Sequence, residues 1–398
     1  MADDLRGVAP VEHLPQDAGK KPEKGIGLCL SGGGYRAMLF HLGALWRLNE
    51  LGYLPKLARV SSVSGGSITA GVLAMNWKEL RFDAKSGVSP SFTELVVTPV
   101  RRLASVTIDQ WAIIGGIITP GSTISDKVAN AYRKYLFHDA TLQDLPDDPP
   151  RFVFNATNVQ SGALWRFSKP YMADWRVGMV PKPTIDLAVA VAASSAFPPV
   201  LSPAHLDLKP GECQFEKGND LNETPYTTEV MLTDGGVYDN LGIETVWKSF
   251  TTVLASDAGG KMEAEPDPPA DWAQHSKRVL DLIDNQVRSL RKRQLIDSYQ
   301  LPAGHEYHRE GTYWGIRSDV RDYALPPIPG YPFDAAGCPF DKTIALANVA
   351  TRLKALDAQT QERLINWGYA ICDVAIRKHI DSNLPVPNGF PYGKGGIG

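Results

Sequence analysis

Two stretches of the chain share one layout. Residues 25–31, GIGLCLS, form a short apolar run that meets three glycines, Gly32 to Gly34, and YRAMLFHLGALWRLNELG follows. Residues 57–63, LARVSSV, are again strand-like, and GGSITAGVLAMNW opens a second helical segment. An unbroken apolar run of this length suits a strand buried on both faces. Met38, Leu42, Leu45 and Leu48 keep helical spacing, and Gly52 fits the glycine that ends many helices. Strand, glycine turn and helix, repeated, make a βαβ unit, which requires a parallel sheet covered by helices.

Further strands are expected at 151–157 (RFVFNAT), 229–235 (EVMLTDG) and 251–259 (TTVLASDAG). Between the first two lies a small-residue helix, PTIDLAVAVAASSAFPPVLSP, closed by Pro198 and Pro199. Residues 277–299 have apolar positions at Val279, Leu282, Ile283, Val287, Leu290 and Leu295, an amphipathic helix with a basic outer face. Residues 326–333, PPIPGYPF, read as loop, and helical spacing returns over 351–380. The predicted fold is one α/β unit, a central, mostly parallel sheet flanked by helices. Its expected parts are a polar tail over 1–24, a core over 25–260, a helical extension over 261–385 and a flexible tail over 386–398.

Composition excludes several classes. The 398 residues are 43% hydrophobic and 21% charged, ordinary globular values. A net charge of −3 provides no basic excess for nucleic acid. Cys29, Cys213, Cys338 and Cys372 are scattered without a CxxC pair, so free thiols are expected rather than a metal or redox site. The first residues lack a basic segment followed by an apolar one, and no run of 18 apolar residues occurs. The expected location is the cytoplasm.

The stretch RVSSVSGGSIT, residues 59–69, crowds serines against glycines at a strand end. A turn that presents a nucleophilic serine needs small residues two places to either side. Ser64 meets this with Ser62 and Gly66; Ser62 has Val60 behind it, and Ser67 has Thr69 ahead. The pattern is SxSxG, with serine where GxSxG has its first glycine. The glycines 32–34 could hold a cofactor phosphate or the oxyanion of acyl transfer, since N–H groups at a helix start attract anions. Gly32, Gly34 and Ala37 match GxGxxG/A, but the acidic residue expected at the end of the second strand is replaced by Ser61, Ser62 and Val63. That substitution favours the oxyanion. Asp234, in LTDGGVYDN, stands at a strand end before two glycines and is the candidate base; Asp257, in SDAGG, is the alternative. HEYH, residues 305–308, is one residue short of the zinc motif HExxH.

LSGGGYRAMLFHLGAL, SSVSGGS, ASSAFPPVLSP and TDGGVYDNLG, in that order, closely resemble the patatin-like phospholipases. The resemblance spans roughly 25–260. It implies a lipid acyl hydrolase working through a Ser–Asp dyad without histidine, Ser64 and Asp234, and an acyl-enzyme. It also implies an oxyanion hole from Gly32, Gly33 and Gly34 with Arg36 beside it, and neither metal nor cofactor. Ala37 and Ser62 stand where the family often has glycine. The implied partners are a lipid or phospholipid ester and, transiently, a membrane surface. Two other readings stay open: an esterase with a Ser64, Asp234 and His275 or His305 triad, and an inactive lipid-binding relative. For the membrane, LASVTIDQWAIIGGIITPG (103–121) carries Trp111, Ile113, Ile114, Ile117 and Ile118 around Gly115–Gly116, as a lid over the cleft or as core.

Overall fold

The computed structural model describes residues 21–108, 123–199, 201–215 and 219–398. Residues 109–121 of the expected lid segment, Trp111 and the four isoleucines among them, lie outside them. Five strands run parallel in the order β10–β9–β1–β2–β3: β1 is Glu23–Leu30, β2 Leu57–Val63, β3 Arg151–Asn158, β9 Phe250–Asp257 and β10 Glu310–Gly315. An antiparallel meander, β4 (Leu164–Phe167), β5 (Tyr171–Asp174) and β6 (Gly178–Pro181), extends the sheet from the other edge of β3. A hairpin of β7 (Ala204–Asp207) and β8 (Glu229–Asp234) pairs antiparallel with the end of β3.

Helices cover the sheet. α1 (Gly34–Glu50) and α2 (Gly65–Met75) begin directly at the two glycine turns, and α3 (Leu187–Ser194) is the small-residue helix. α4 spans Trp272–Gln300 and α5 spans Ala358–His379. α1 is buried along nearly its whole length because α5 lies across it. The crossing depends on a glycine in each helix. A Cβ on Gly43 would sit 1.9 Å from the Ile365 carbonyl oxygen, and one on Gly368 would sit 1.8 Å from that of Phe40. One turn further along, Arg47 donates to Asp373 Oδ1 (2.8 Å), and Asp373 also accepts from Tyr331 (2.6 Å) and Arg377 (3.2 Å). The buried carboxylate is thereby paired and fully hydrogen-bonded, the condition under which a charge is tolerated inside a protein.

Three expectations need correction. The segment after 260 is not wholly helical, because β10 joins the sheet with Trp314 completely buried. Residues 23 and 24, assigned to a polar tail, open β1. Residues 386–398 contain no helix or strand yet are tied down: Asn366 Nδ2 donates to the carbonyls of Tyr392 (2.9 Å) and Gly396 (2.8 Å), and Ile397 is buried. All four cysteines are buried and unbridged. No helix among the described residues is long and apolar enough to cross a membrane.

The helix crossing yields a direct test. Gly368→Val forces a side chain into the Phe40 carbonyl, and overpacking of this kind costs about 1–3 kcal/mol or more. The expected result is a lower urea midpoint at unchanged slope, whereas Gly393→Val, in open space, leaves the midpoint where it was.

Candidate active site

The site is built by strand register. Val63, the last residue of β2, pairs with Asn155 of β3. Asp234, the last residue of β8, pairs with Ala156, the next position along β3. β2 and β8 therefore approach end to end along one edge of β3, and the residues at their tips, Ser64 and Asp234, are forced together at the mouth of a cleft of about 730 Å³. Gly32, Gly33 and Gly34 line the same cleft.

Ser64 is the residue between β2 and α2, with φ 51° and ψ −120°. A non-glycine residue held at positive φ stores of order 1–3 kcal/mol and persists only where its surroundings over-determine it. Here the neighbouring serines do so. Ser194, at the end of α3, accepts from the Ser64 N–H (3.0 Å), donates to the Asn155 carbonyl (2.7 Å) and lies 2.9 Å from the Ser67 hydroxyl. Ser67 reaches Ser62 (3.0 Å). Ser61 donates to the Gly242 carbonyl (2.6 Å) and accepts from Asn155 (2.9 Å) and Thr245 (2.8 Å). The hydroxyls of Ser61, Ser62 and Ser67 are thus fasteners around Ser64. The missing first glycine of GxSxG is met by a side chain in use as a hydrogen-bond acceptor. Gly65 and Gly66 answer a different need: a Cβ on either would lie 2.2 Å from Gly34 O or 2.5 Å from Leu30 O.

The three glycines are not equivalent. The Gly32 N–H already donates to the Asn240 carbonyl (3.1 Å), which corrects the expectation that it would face an anion. Among the described residues the N–H groups of Gly33 and Gly34 have no protein acceptor. Gly32 serves through its lack of a side chain, since a Cβ there would stand 2.3 Å from Asn240 Oδ1 and 3.2 Å from Ser64 Cβ. Arg36 is buried and donates to the Ala258 carbonyl through Nε (3.1 Å) and Nη2 (3.0 Å), and to Val349 O. It is a brace between the glycine turn, the end of β9 and the chain before α5. Burial, with Arg317 and Arg288 nearby, lowers its pKa to about 10.

Asp234 is 2% exposed. Its Oδ1 accepts from the Gly236 N–H (2.7 Å), while Oδ2 has no full hydrogen bond. Burial pushes its pKa up to about 7, against the opposing pull of the Gly236 N–H and the Ser64 hydroxyl. Asp257, the alternative base, is differently occupied. It accepts from Tyr313 (2.7 Å) and the Gly259 N–H (2.8 Å); burial alone would raise its pKa, but Arg288 and these donors bring it below the usual carboxylate value. It does not line the cleft. No histidine does, among the described residues. His275 is exposed on α4 with Nδ1 3.1 Å from Pro269 O, and His305 lies in an exposed turn. His41 is buried beneath the glycine turn, between Ser256 (2.8 Å) and Ser31 O (2.9 Å), and burial lowers its pKa to about 4.

A model of the patatin-like phospholipases matches residues 28–247, more than half of the chain. The chain belongs to the patatin-like phospholipase family. Membership supports a lipid acyl hydrolase at the level of the family. Among solved structures, human GIVD cytosolic phospholipase A2 aligns with a TM-score of 0.48 at 12% identity over 95% of this chain. The same protein bound to methyl gamma-linolenyl fluorophosphonate aligns at 0.46 and 14%, over 95% of this chain and 63% of that one. VipD from Legionella pneumophila aligns at 0.31 and 16%, over 82% of this chain and 66% of that one. The chain spans about 65% of the length of the human phospholipase. Comparison with curated sequences gives no match. Sequence reasoning missed three residues of this patatin-like cleft: Asn240, Arg352 and Asp284 all line it. Asn240 lay within the quoted TDGGVYDNLG, but nothing in its spacing marked a role; the other two follow the matched segment.

The Asp234 environment sets a pH signature for stability. Its folded pKa lies above the unfolded value of 3.8, so its favourable contribution is complete below that value and is lost as pH rises towards about 7. Asp234→Asn removes the ionisation. The variant is expected to melt with the wild type below about pH 4, to gain on it progressively up to about pH 7 and to keep a constant advantage above. Calorimetry across this range checks the sign, and a wild-type protein that gains on the variant as pH rises would contradict it.

Proposed function

We propose that the protein hydrolyses lipid carboxylic esters through Ser64 and Asp234, without histidine. The observation that carries this reading is the meeting of a strained, partly exposed serine with a buried carboxylate whose Oδ2 has no hydrogen-bond partner in the fold. As the Ser64 oxygen bonds to the ester carbonyl carbon, its proton passes to Asp234, and the carbonyl oxygen gains a negative charge that the free N–H groups of Gly33 and Gly34 stabilise. Collapse of this adduct breaks the ester bond, and the departing alcohol takes the proton from Asp234. Water then attacks the acyl-enzyme, giving its proton to Asp234, and release of the fatty acid restores Ser64. A base with a pKa near the working pH combines an adequate ionised fraction with proton affinity; burial gives Asp234 that property. Ser64→Ala is expected to lose up to ~10⁶ in kcat and all labelling by a fluorophosphonate, and Asp234→Asn ~10²–10⁴-fold. Alanine at His275 or His305 changes neither. The wild-type rate should fall tenfold per pH unit below about 7, a limb absent in Asp234→Asn. Near-wild-type turnover of Ser64→Ala would end the assignment.

Access to a lipid aggregate is assigned to α4. The residues that this helix turns towards the cleft are charged or polar, among them Lys277, Asp281 and Asp284. Trp272, Val279, Ile283 and Leu290, at helical spacing, face outward instead; Trp272 is 84% exposed and the other three 43–56%. The helix is thus apolar on the side away from the protein. An apolar stripe on a cleft wall, in a family whose substrates sit in lipid aggregates, fits insertion into a bilayer interface with Trp272 at headgroup depth. Trp272→Ser with Ile283→Asp is expected to weaken binding to phosphatidylcholine vesicles, and activity on them, by tenfold or more. Hydrolysis of a short soluble ester should not change. Equal losses on both substrates would assign the stripe to stability instead.

A further inference from the structure

A second cavity, of about 640 Å³, lies at the opposite end of the sheet. Its place follows from the strands: Lys24 of β1, Arg59 of β2 and Arg151 of β3 line it near the starts of strands whose far ends lead to the cleft. From Arg59 to Ser64 is five residues of extended chain, about 16 Å. The lining contains eight lysines and arginines and three carboxylates, in a chain whose net charge is −3.

Cations outnumber carboxylates in the lining. Asp147 is paired with Lys169 (2.7 Å), and Glu244 with Lys248 and with Arg291. Arg59 and Arg151 are register partners on adjacent strands, so two like charges start side by side. Like charges directly opposite one another destabilise a sheet. Arg59 also donates to the Thr245 carbonyl and to the Ser249 hydroxyl (2.9 Å). Arg166, 7% exposed, enters the same cavity from β4, and Lys182 from the end of the meander. The lining cations come from six separate segments, so the accumulation belongs to the fold and not to a run of basic sequence. Phe152, Phe250 and prolines complete the lining. A recess in which one sign of charge predominates focuses its potential on an anion, and the guanidinium fork matches phosphate geometry. The volume lies within the range of small-molecule sites, ~300–1,000 Å³.

We propose that this cavity binds a phosphate-bearing polyanion, either a free small molecule or the headgroup of a phosphorylated lipid, at a site separate from the Ser64 cleft. It requires nothing of Ser64 or Asp234.

Calorimetric titration of the full chain with inositol hexakisphosphate, and sedimentation with phosphatidylcholine vesicles containing phosphatidylinositol bisphosphate, test it. Binding of either probe is expected at 50 mM salt, weakened tenfold or more by Lys24→Glu with Arg151→Glu, and weakened similarly by 300 mM salt. Binding of the soluble probe alone identifies a free ligand; binding of the bisphosphate vesicles beyond that of vesicles of phosphatidylcholine alone, without binding of the soluble probe, identifies a lipid headgroup. Hydrolysis of a soluble ester and labelling by fluorophosphonate should be unaltered in the double variant, which separates failure here from failure of the catalytic reading. Should the double variant melt early, Lys182→Glu, on an exposed residue, provides the same comparison. No binding of either probe at millimolar concentration, or binding indifferent to all these substitutions, overturns the proposal.

Discussion

One edge of β3 organises the molecule. Two strands of opposite direction share it, and they meet where Asn155 gives way to Ala156. Backbone hydrogen bonds fix a residue along a strand to within a fraction of the ~3.3 Å rise. That precision is what brings a residue following β2 and a residue ending β8, 170 positions apart in sequence, to one point. Loops alone would not hold them so closely. Asn155 itself binds the arrangement from below, donating to Ser61 and to the Ser62 carbonyl (2.9 Å each), while its own carbonyl receives Ser194.

The cost of this geometry falls on two residues. Ser64 is held at an unfavourable φ, and Asp234 is denied most of the hydration that a carboxylate seeks. Both are paid for by the surrounding hydroxyls and by the packing of α2 and α3 under the turn. The neighbourhood has little freedom to relax: Gly65 and Gly66 touch the backbone of the first glycine turn, and Ser67 and Ser194 share a hydrogen bond.

Much of this was legible in the sequence because the decisive signals are local. Strand runs ending in glycine marked β1 and β2, and four ordered motifs marked the family and the residues at the strand tips. What stayed hidden was non-local or short. β4, β5 and β6 have four residues each, too few for alternation to rise above chance. β10 has the Gly311 and Gly315 that strand propensity disfavours, and it is a strand because β9 offers it an edge. That the Gly32 N–H is occupied by Asn240 depends on a contact across about 200 residues, which no spacing rule reports. The helix over 277–299 was anticipated, yet four of its six apolar positions, Val279, Leu282, Ile283 and Leu290, turned out exposed while Leu295 is buried, since periodicity fixes a stripe but not what lies opposite.

The cleft has two sources along the chain. Ser64, Asp234 and the glycine turn lie within the segment shared with the family, residues 28–247. Much of the opposing wall, from Lys261 to Glu265, from α4 and from Thr351 to Leu353, comes after it. The two are bolted together where the Tyr35 N–H donates to the Arg352 carbonyl (3.0 Å) and Arg36 to Val349 O. Such a division lets the later wall be exchanged, and with it the shape and charge presented at the cleft, while the strand register of the shared segment stays as it is.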